Sequence, residues 1–238
     1  MEIIKINING ILYDAFINRK KIKRIIMKVN ALLQINISCP LFVSQNKCLE
    51  FIERNSEWLR NTIIEKNETY QKMHVKECLE KKGIWLKGKY FTFKKTGNIN
   101  EFYSFNEQNI FIPEIQEINM QFIEKIKAPL YSEIEDLFEY YKTTYPDIIP
   151  KNSSLIMKKL KSKWGSCNYK KNIITINKVL VAVPENLLHF VLIHEFLHFL
   201  FPNHGKNFKN KLNSFLPNNK IFEKELKNYN FLLEKDVF

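Results

Sequence analysis

Four of the five histidines of the chain lie within one apolar stretch, LLHFVLIHEFLHFLFPNHGKNF, residues 187–208. A helix advances about 100° per residue, so His194 and His198 lie one turn apart on the same face. Their imidazoles can therefore converge on one point, and Glu195 lies on the flank of that face. The other helix positions are apolar on every side, which is typical of a buried helix. Three ionisable side chains are thus predicted to be buried together.

A divalent metal ion would explain this arrangement, because two imidazoles and a carboxylate are costly to bury without partners. The pattern H-E-x-x-H on a helix supplies two zinc ligands and a general base. His204 follows the turn sequence FPN, which can bring it back over the helix end as a third ligand. Three protein ligands leave a fourth position for water, the pattern of catalytic zinc sites. We predict one zinc ion per chain, or another divalent metal, held by His194, His198 and His204.

Glu195 is the predicted catalytic residue. It lies beside the ligands, and as general base it would take a proton from water and pass it to the leaving group. Two alternatives stay open from the residues alone. The histidines could be satisfied within an ordinary core, or the zinc site could be purely structural.

The elements that must position these residues indicate fold class α+β, beginning with a β-rich N-terminal subdomain over residues 1–113. LLQINISCP alternates apolar and polar residues, which predicts a half-buried strand that Pro40 closes. IIMKVNA before it is predicted to pair with it as a hairpin. One helix is predicted in KCLEFIERNSEWLRNTIIEK, and two more strands at 84–93 and 101–113.

Residues 114–238 are predicted to form the catalytic domain, a small antiparallel sheet packed on the HExxH helix. A long amphipathic helix, kinked near Pro129, comes first. SSLIMKKLKSKWGSC and IITINKVLVAV follow as a strand pair, and Pro184 opens the helix that carries the histidines. Two helices, at about 206–215 and 220–235, complete the domain.

The composition adds broader expectations. Lys and Arg outnumber Asp and Glu by 37 to 25, for a formal charge of +12. Such a surface attracts polyanions, so a nucleic-acid partner is consistent with it, although the cations are spread along the chain. The four cysteines lack CxxC spacing, which disfavours a Cys-based zinc site. We found no signal-peptide pattern and no membrane-length apolar run, so we expect a cytoplasmic protein without membrane attachment.

The region 161–208 resembles the YgjP-like metal-dependent hydrolases, bacterial relatives of the SprT and WSS-type minigluzincin proteases. The family pattern consists of W-G-S-C, a strand ending in N-x-x-L, H-E-L-x-H and P-N-H-S-x-x-F. Here it appears as WGSC (164–167), NKVL (177–180), HEFLH (194–198) and PNHGKNF (202–208). The chain departs from the pattern at Lys163, where Arg is usual, and at Gly205, where a Ser could cap the next helix.

The resemblance implies a zincin-like catalytic domain with the same three ligands and the same base as those derived from the helix geometry. From zincin architecture, strand 173–179 is expected at the rim of the cleft, where it would align an extended peptide. Trp164 is a candidate wall of that cleft, and Ser166 a candidate for substrate binding. The alternative is a tight turn at Gly165, with Trp164 and Cys167 packed in the core.

The preferred function is zinc-dependent peptide hydrolysis. The alternative hypothesis is a metal-dependent nucleotide phosphohydrolase of the nucleoside triphosphate pyrophosphatase type. It would act on a small phosphorylated substrate. The positive net charge favours this phosphohydrolase hypothesis, whereas the lack of a Gly-rich phosphate-binding loop argues against it. A third class comprises a non-enzymatic module with structural zinc and a nucleic-acid-associated protease.

Overall fold

The computed structural model describes residues 2–97 and 103–234 of the chain, which form an α+β fold with several small sheets. The strand expected at 101–113 and the helix expected at 220–235 extend beyond these ranges, at residues 101–102 and at residue 235. Contacts divide the chain into two compact units, Met1–Lys76 and Glu77–Phe238. Among the helices of the described ranges, none has both the length and the apolar character needed to cross a membrane.

The first unit combines one sheet with two helices. Its elements are β1 (Glu2–Ile8), β2 (Ile11–Lys20), β3 (Ile26–Val29), β4 (Ile35–Pro40), α1 (Gln45–Arg54) and α2 (Ser56–Lys72). The strand order is β1-β2-β4-β3, in which β2 and β4 run parallel and the other neighbours antiparallel. The predicted hairpin is confirmed, with Val29 of β3 opposite Ile35 of β4. Ile52 of α1 and Leu59 of α2 join Ile35 and Ile37 in one core, which the helices cover.

The second unit opens with another four-stranded sheet and a long helix. Its elements are α3 (Val75–Leu79, which spans the division), β5 (Gly83–Leu86), β6 (Lys89–Thr96), β7 (Ser104–Phe105), β8 (Asn109–Pro113) and α4 (Met120–Thr144). The strand order is β5-β6-β8-β7, with β6 and β8 parallel. Asn119 caps α4 by accepting from the Phe122 N–H at 3.0 Å, and Pro129 lies inside this helix. Ile110 and Ile112 of β8 share a core with Phe122.

The division of the chain at residue 76 differs from the domain boundary predicted at residue 113. The sheet over 83–113 shares its core with α4. Backbone N–H groups of Lys87 and Gly88 also donate to the carbonyls of Val181 and Ala182, at 2.8 and 2.9 Å. These strands are therefore packed and hydrogen-bonded to the part of the chain that carries the histidines.

A three-stranded sheet and the helices that follow it position the candidate site. The elements are β9 (Ser154–Lys158), β10 (Gly165–Asn168), β11 (Ile173–Asn177), a 3-10 helix (Lys178–Ala182), α5 (Glu185–Leu197), α6 (Lys206–Phe215), α7 (Asn219–Leu226) and a second 3-10 helix (Lys227–Leu233). α5 buries apolar residues on all its faces, as predicted, and packs against β10 and β11.

The prediction of a small antiparallel sheet here was wrong, because the sheet is mixed. Its order is β10-β11-β9, with β10 antiparallel and β9 parallel to β11. The stretch SSLIMKKLKSKWGSC is not one strand: it breaks after Lys158, crosses the end of β11 and resumes at Gly165 on the other side. The crossing is held by Asn177, whose side-chain amide donates to the carbonyls of Leu160 and Lys163, both at 2.8 Å.

Candidate metal centre

The structure brings the three predicted ligands together. His194 lies in the last turn of α5, His198 caps the end of that helix, and His204 lies in the loop before α6. One ring nitrogen from each of the three histidines lies within 4.8 Å of those of the other two. The Nε2 atoms of His194 and His204 are 2.9 Å apart. The helical spacing and the FPN turn therefore produce the convergence that a single metal ion requires.

Phe208, which the sequence analysis left without a role, holds the three imidazoles in place. Its ring centroid lies 5.0 Å from that of His194 and 4.8 Å from those of His198 and His204. It stacks on His198 with an interplanar angle of 27°, and it is itself fully buried. One aromatic side chain from the first turn of α6 thus restricts the rotamers of all three ligands. Its only sequence signal was its place at the end of PNHGKNF.

The surroundings of His194 and His198 favour the neutral imidazole. Burial, and then the nearby His198 and His204, lower the pKa of His194 to about 4. Burial also lowers the pKa of His198. The Nδ1–H of His198 donates to the carbonyl of Phe201 at 3.0 Å, which leaves Nε2 as the free lone pair. Neutral imidazoles with one nitrogen held by a backbone carbonyl are the form that coordinates zinc.

Glu195 is the buried carboxylate beside this triad. It is 7% exposed, and its Oε2 atom is buried without a hydrogen-bond partner among the described residues. Burial raises the pKa of Glu195 to about 7, against the opposing effect of the positive charge of Lys163. An orphaned buried carboxylate oxygen is expensive unless a further group completes it. Three converging imidazoles and this carboxylate therefore fit a metal ion together with its water.

The close approach of β10 explains why a glycine precedes Ser166 in the WGSC segment. A Cβ at Gly165 would lie 2.7 Å from Cγ and 2.9 Å from Oε1 of Glu195. The strand can therefore run directly beside the carboxylate only without a side chain at this position. Strand 173–179 was expected at the rim of the cleft, but β11 is the central strand of its sheet, paired on both edges. The strand beside Glu195 is β10, at the edge of the sheet.

Asn177 is a second residue near the site whose structural role the sequence did not reveal. It is fully buried, it holds the crossing segment as described above, and its N–H donates to the carbonyl of Trp164 at 2.8 Å. It thereby sets the position at which β10 begins, and so the approach of Gly165 to Glu195. A polar Asn at the end of the apolar strand IITIN was the available signal, because a fully buried amide needs several partners.

The candidate substrate residues lie in different surroundings. Trp164 is half-buried and lines a cleft of about 950 Å3, which also contains His194, Glu195 and His204. Ser166 is half-buried and is not among the residues that line this cleft. Side chains alternate along a strand, so Ser166 points to the face of β10 opposite Gly165. Burial, and then the Glu195 carboxylate, raise the pKa of the neighbouring Cys167 to about 12, which leaves it a neutral thiol.

His189, the remaining histidine of the stretch, lies outside this site. Its Nδ1 lies 2.5 Å from the hydroxyl of Tyr141, and its Nε2 lies 3.4 Å from a carboxylate oxygen of Glu185. The pair with Tyr141 joins α5 to α4 and is structural.

Known proteins are similar to parts of this chain. An uncharacterized protein of Methanocaldococcus jannaschii is 34% identical over 82 residues, which cover 33% of this chain and 74% of that protein. Two crystal structures of metallopeptidase zymogens are similar to parts of the chain. Jannalysin of M. jannaschii shows 31% identity and a TM-score of 0.34 over 40% of this chain and 91% of its own. Abylysin of Pyrococcus abyssi shows 23% identity and a TM-score of 0.34 over 39% and 90%.

The sequence matches the family described as "YgjP-like, metallopeptidase domain" over residues 23–229, which is most of its length. The resemblance found in the motifs of 161–208 thus extends to the rest of the matched range. The chain belongs to the YgjP-like metallopeptidase family and is a metal-dependent hydrolase.

Proposed function

We propose that this protein is a zinc-dependent peptidase in which His194, His198 and His204 hold the metal and Glu195 is the general base. The observation that carries the proposal is the buried Oε2 atom of Glu195, which lacks a hydrogen-bond partner among the described residues beside three converging imidazoles. A zinc ion bound there would polarise the scissile carbonyl and make water more acidic.

The residues of the chain would perform the proton transfers. Glu195 accepts a proton from the attacking water and returns it to the nitrogen of the leaving amine. Its backbone is held within a helix packed on every side, and Gly165 leaves its carboxyl group room beside β10. The carboxylate is therefore pre-positioned, which reduces the reorganisation needed during the reaction.

One edge of β10 pairs with no strand of the described residues, which supports binding of an extended peptide there. The backbone N–H of Asn177 donates to the carbonyl of Trp164. The next hydrogen-bonded pair along these antiparallel strands is therefore Ser166 with Thr175. The alternation leaves the backbone groups of Gly165 and Cys167 directed to the unpaired edge. We propose that the substrate pairs with these groups next to Glu195 and that Trp164 forms one wall of the cleft. Ser166 would contribute by keeping the register of β10 on β11.

Metal analysis combined with one pair of variants tests the proposal. The Glu195→Gln protein is expected to retain its metal and to lose at least about 100-fold in kcat on unfolded protein or internally quenched peptides. Glu185→Gln is the matched control, because Glu185 lies on the same helix and its side chain is 80% exposed. Purified protein free of divalent metal, or unchanged hydrolysis by Glu195→Gln, would refute the assignment.

A nucleotide phosphohydrolase is the second candidate, and one observation favours it. Lys163, Lys209 and Lys220 line the cleft beside the metal site. Lysines of this kind bind phosphates as point charges. Release of phosphate or pyrophosphate from nucleoside triphosphates, measured beside peptide hydrolysis with the same Glu195→Gln variant, decides between the two reactions.

A further inference from the structure

We infer that the cleft selects peptides that carry an acidic side chain close to the scissile bond, recognised by Lys163, Lys209 and Lys220. This inference rests on the proposed peptidase function and adds the class of substrate.

The three lysines come from three different elements that surround the cleft. Lys163 ends the segment that crosses β11 and leads into β10, Lys209 lies on α6, and Lys220 lies on α7. All three are exposed, and within the described ranges no ion pair joins any of them to a carboxylate. Their charges are therefore available to a ligand.

The charge balance of the cleft is one-sided. Besides the general base Glu195, Glu223 is the single acidic residue that lines it within residues 2–97 and 103–234. Glu195 is buried at the bottom, so an approaching peptide meets three cations and one exposed carboxylate. A concave site lined by charges of one sign concentrates its field, so a ligand of opposite charge is attracted and one of the same charge repelled.

Lys163 is the cleft lysine whose positive charge acts on the carboxyl group of the proposed general base, Glu195. Its carbonyl is held by the buried Asn177. Trp164 follows immediately and lines the same cleft. An acidic side chain paired with Lys163 would thus lie close to the bond that Glu195 serves.

The floor of the cleft is apolar, which completes the description of the substrate. It consists of buried side chains from three helices, namely Phe190, Val191, Phe208, Leu212 and Leu226. With a volume of about 950 Å3, the cleft holds several residues of a peptide. The arrangement fits an apolar side chain on the floor and an acidic one at the cationic rim. Lys or Arg at the rim position would meet an excess of like charge, three lysines against the one exposed carboxylate of Glu223.

The test compares two sets of internally quenched peptides that differ only in Asp or Lys at positions flanking a Leu or Phe. Wild-type protein loaded with zinc is expected to cleave the acidic set with a kcat/KM about 10-fold higher or more, mainly through KM. The triple variant Lys163→Glu, Lys209→Glu, Lys220→Glu is expected to reverse that preference. High salt should reduce the preference of the wild-type protein, because the lysines are exposed.

A matched control changes the net charge equally without changing the cleft. Lys170, Lys211 and Lys224 are exposed, lie on the turn after β10, on α6 and on α7, and are absent from the cleft lining. Their triple replacement by Glu should leave the preference as in the wild-type protein. If the triple variant misfolds, each cleft lysine is replaced singly by Gln and the fold is checked by circular dichroism. Each single variant is then expected to show a weaker preference for the acidic peptides.

The outcomes distinguish failure of the proposed peptidase function from failure of the proposed preference for acidic peptides. Metal-loaded protein that cleaves neither peptide set would refute the proposed peptidase function itself. Cleavage without charge preference, or a preference altered equally by the control triple, would overturn the inference and leave the peptidase standing. Loss of nucleoside triphosphate hydrolysis in the cleft variants, with unchanged peptide preference, would also overturn it and assign the lysines to phosphate.

Discussion

Replacement of Gly165 by Ala should disable the base while leaving the metal in place. The new Cβ would lie 2.7 Å from Cγ, 2.9 Å from Oε1 and 3.0 Å from Cδ of Glu195. Optimal carbon–carbon contacts are about 3.5–4.0 Å, so one side must retreat by roughly 1 Å. The backbone of α5 cannot yield easily, because Leu192 and Phe196 are buried around it. The Glu195 carboxyl group is therefore the part that moves.

The size of the effect follows from that displacement. A misplacement of about 1 Å in a catalytic group costs about 100-fold in rate. Overpacking of a tight site also lowers the free energy of unfolding by about 1–3 kcal/mol. The three histidines make their contacts elsewhere, with Phe208 and Phe201. We therefore expect a large fall in kcat, little change in KM and an unchanged metal content.

The assay measures kcat and KM on a quenched peptide, metal content by mass spectrometry, and thermal unfolding, for Gly165→Ala and for Gly97→Ala. Gly97 is the control, since a Cβ there meets no heavy atom of the described residues within 4 Å. A folded, metal-loaded Gly165→Ala protein with the kcat of the wild type would show that the contact between β10 and Glu195 does not govern catalysis.

Three further changes probe other parts of the structure. Asn177→Ala leaves two carbonyls without a donor and should lower the free energy of unfolding in urea by about 1–3 kcal/mol, with a reduced kcat; wild-type values for both would contradict its positioning role. Phe208→Ala removes the ring against the three imidazoles and should weaken zinc binding, measured by competition with a chelator, and cost about 3–5 kcal/mol in stability; unchanged zinc affinity would contradict this. Burial lowers the pKa of Lys127 from 10.5 to about 8. Below pH 8 its buried charge therefore lowers the free energy of unfolding by the full amount. This destabilisation declines as the pH rises from 8 to 10.5. Lys127→Met should therefore be more stable than the wild type at pH 7 by up to about 3 kcal/mol, and this gain should vanish near pH 10.5 while the exposed Lys125→Met shows none.

The convergence of the three histidines was predictable because it depends on local geometry. His194 and His198 are related by one turn of one helix, and the turn before His204 is encoded by Pro202 and Asn203. The hairpin of β3 and β4 was predictable for the same reason, since alternation and a short connection determine it.

The features that could not be predicted depend on contacts between distant segments. Parallel pairing of β9 with β11 requires a crossing connection, and the periodicity of a strand does not reveal which neighbour it will have. The approach of Gly165 to Glu195 joins residues thirty positions apart. Likewise, the sheet over 83–113 has the same sequence pattern whichever helix covers it, so its core with Phe122 was not apparent from residues alone.

In the proposed mode of substrate binding, the edge of β10 that no described strand pairs with would also determine which inhibitors this protein accepts. An extended backbone that presents an N–H and a carbonyl at every second residue can complete the sheet, whereas a helical peptide has already used those groups internally. Because β10 is only four residues long, the edge offers few pairing positions and is a poor template for joining another protein's sheet. A short, extended peptide mimic with an acidic side chain and a zinc-binding group is therefore the scaffold from which a selective inhibitor should be built.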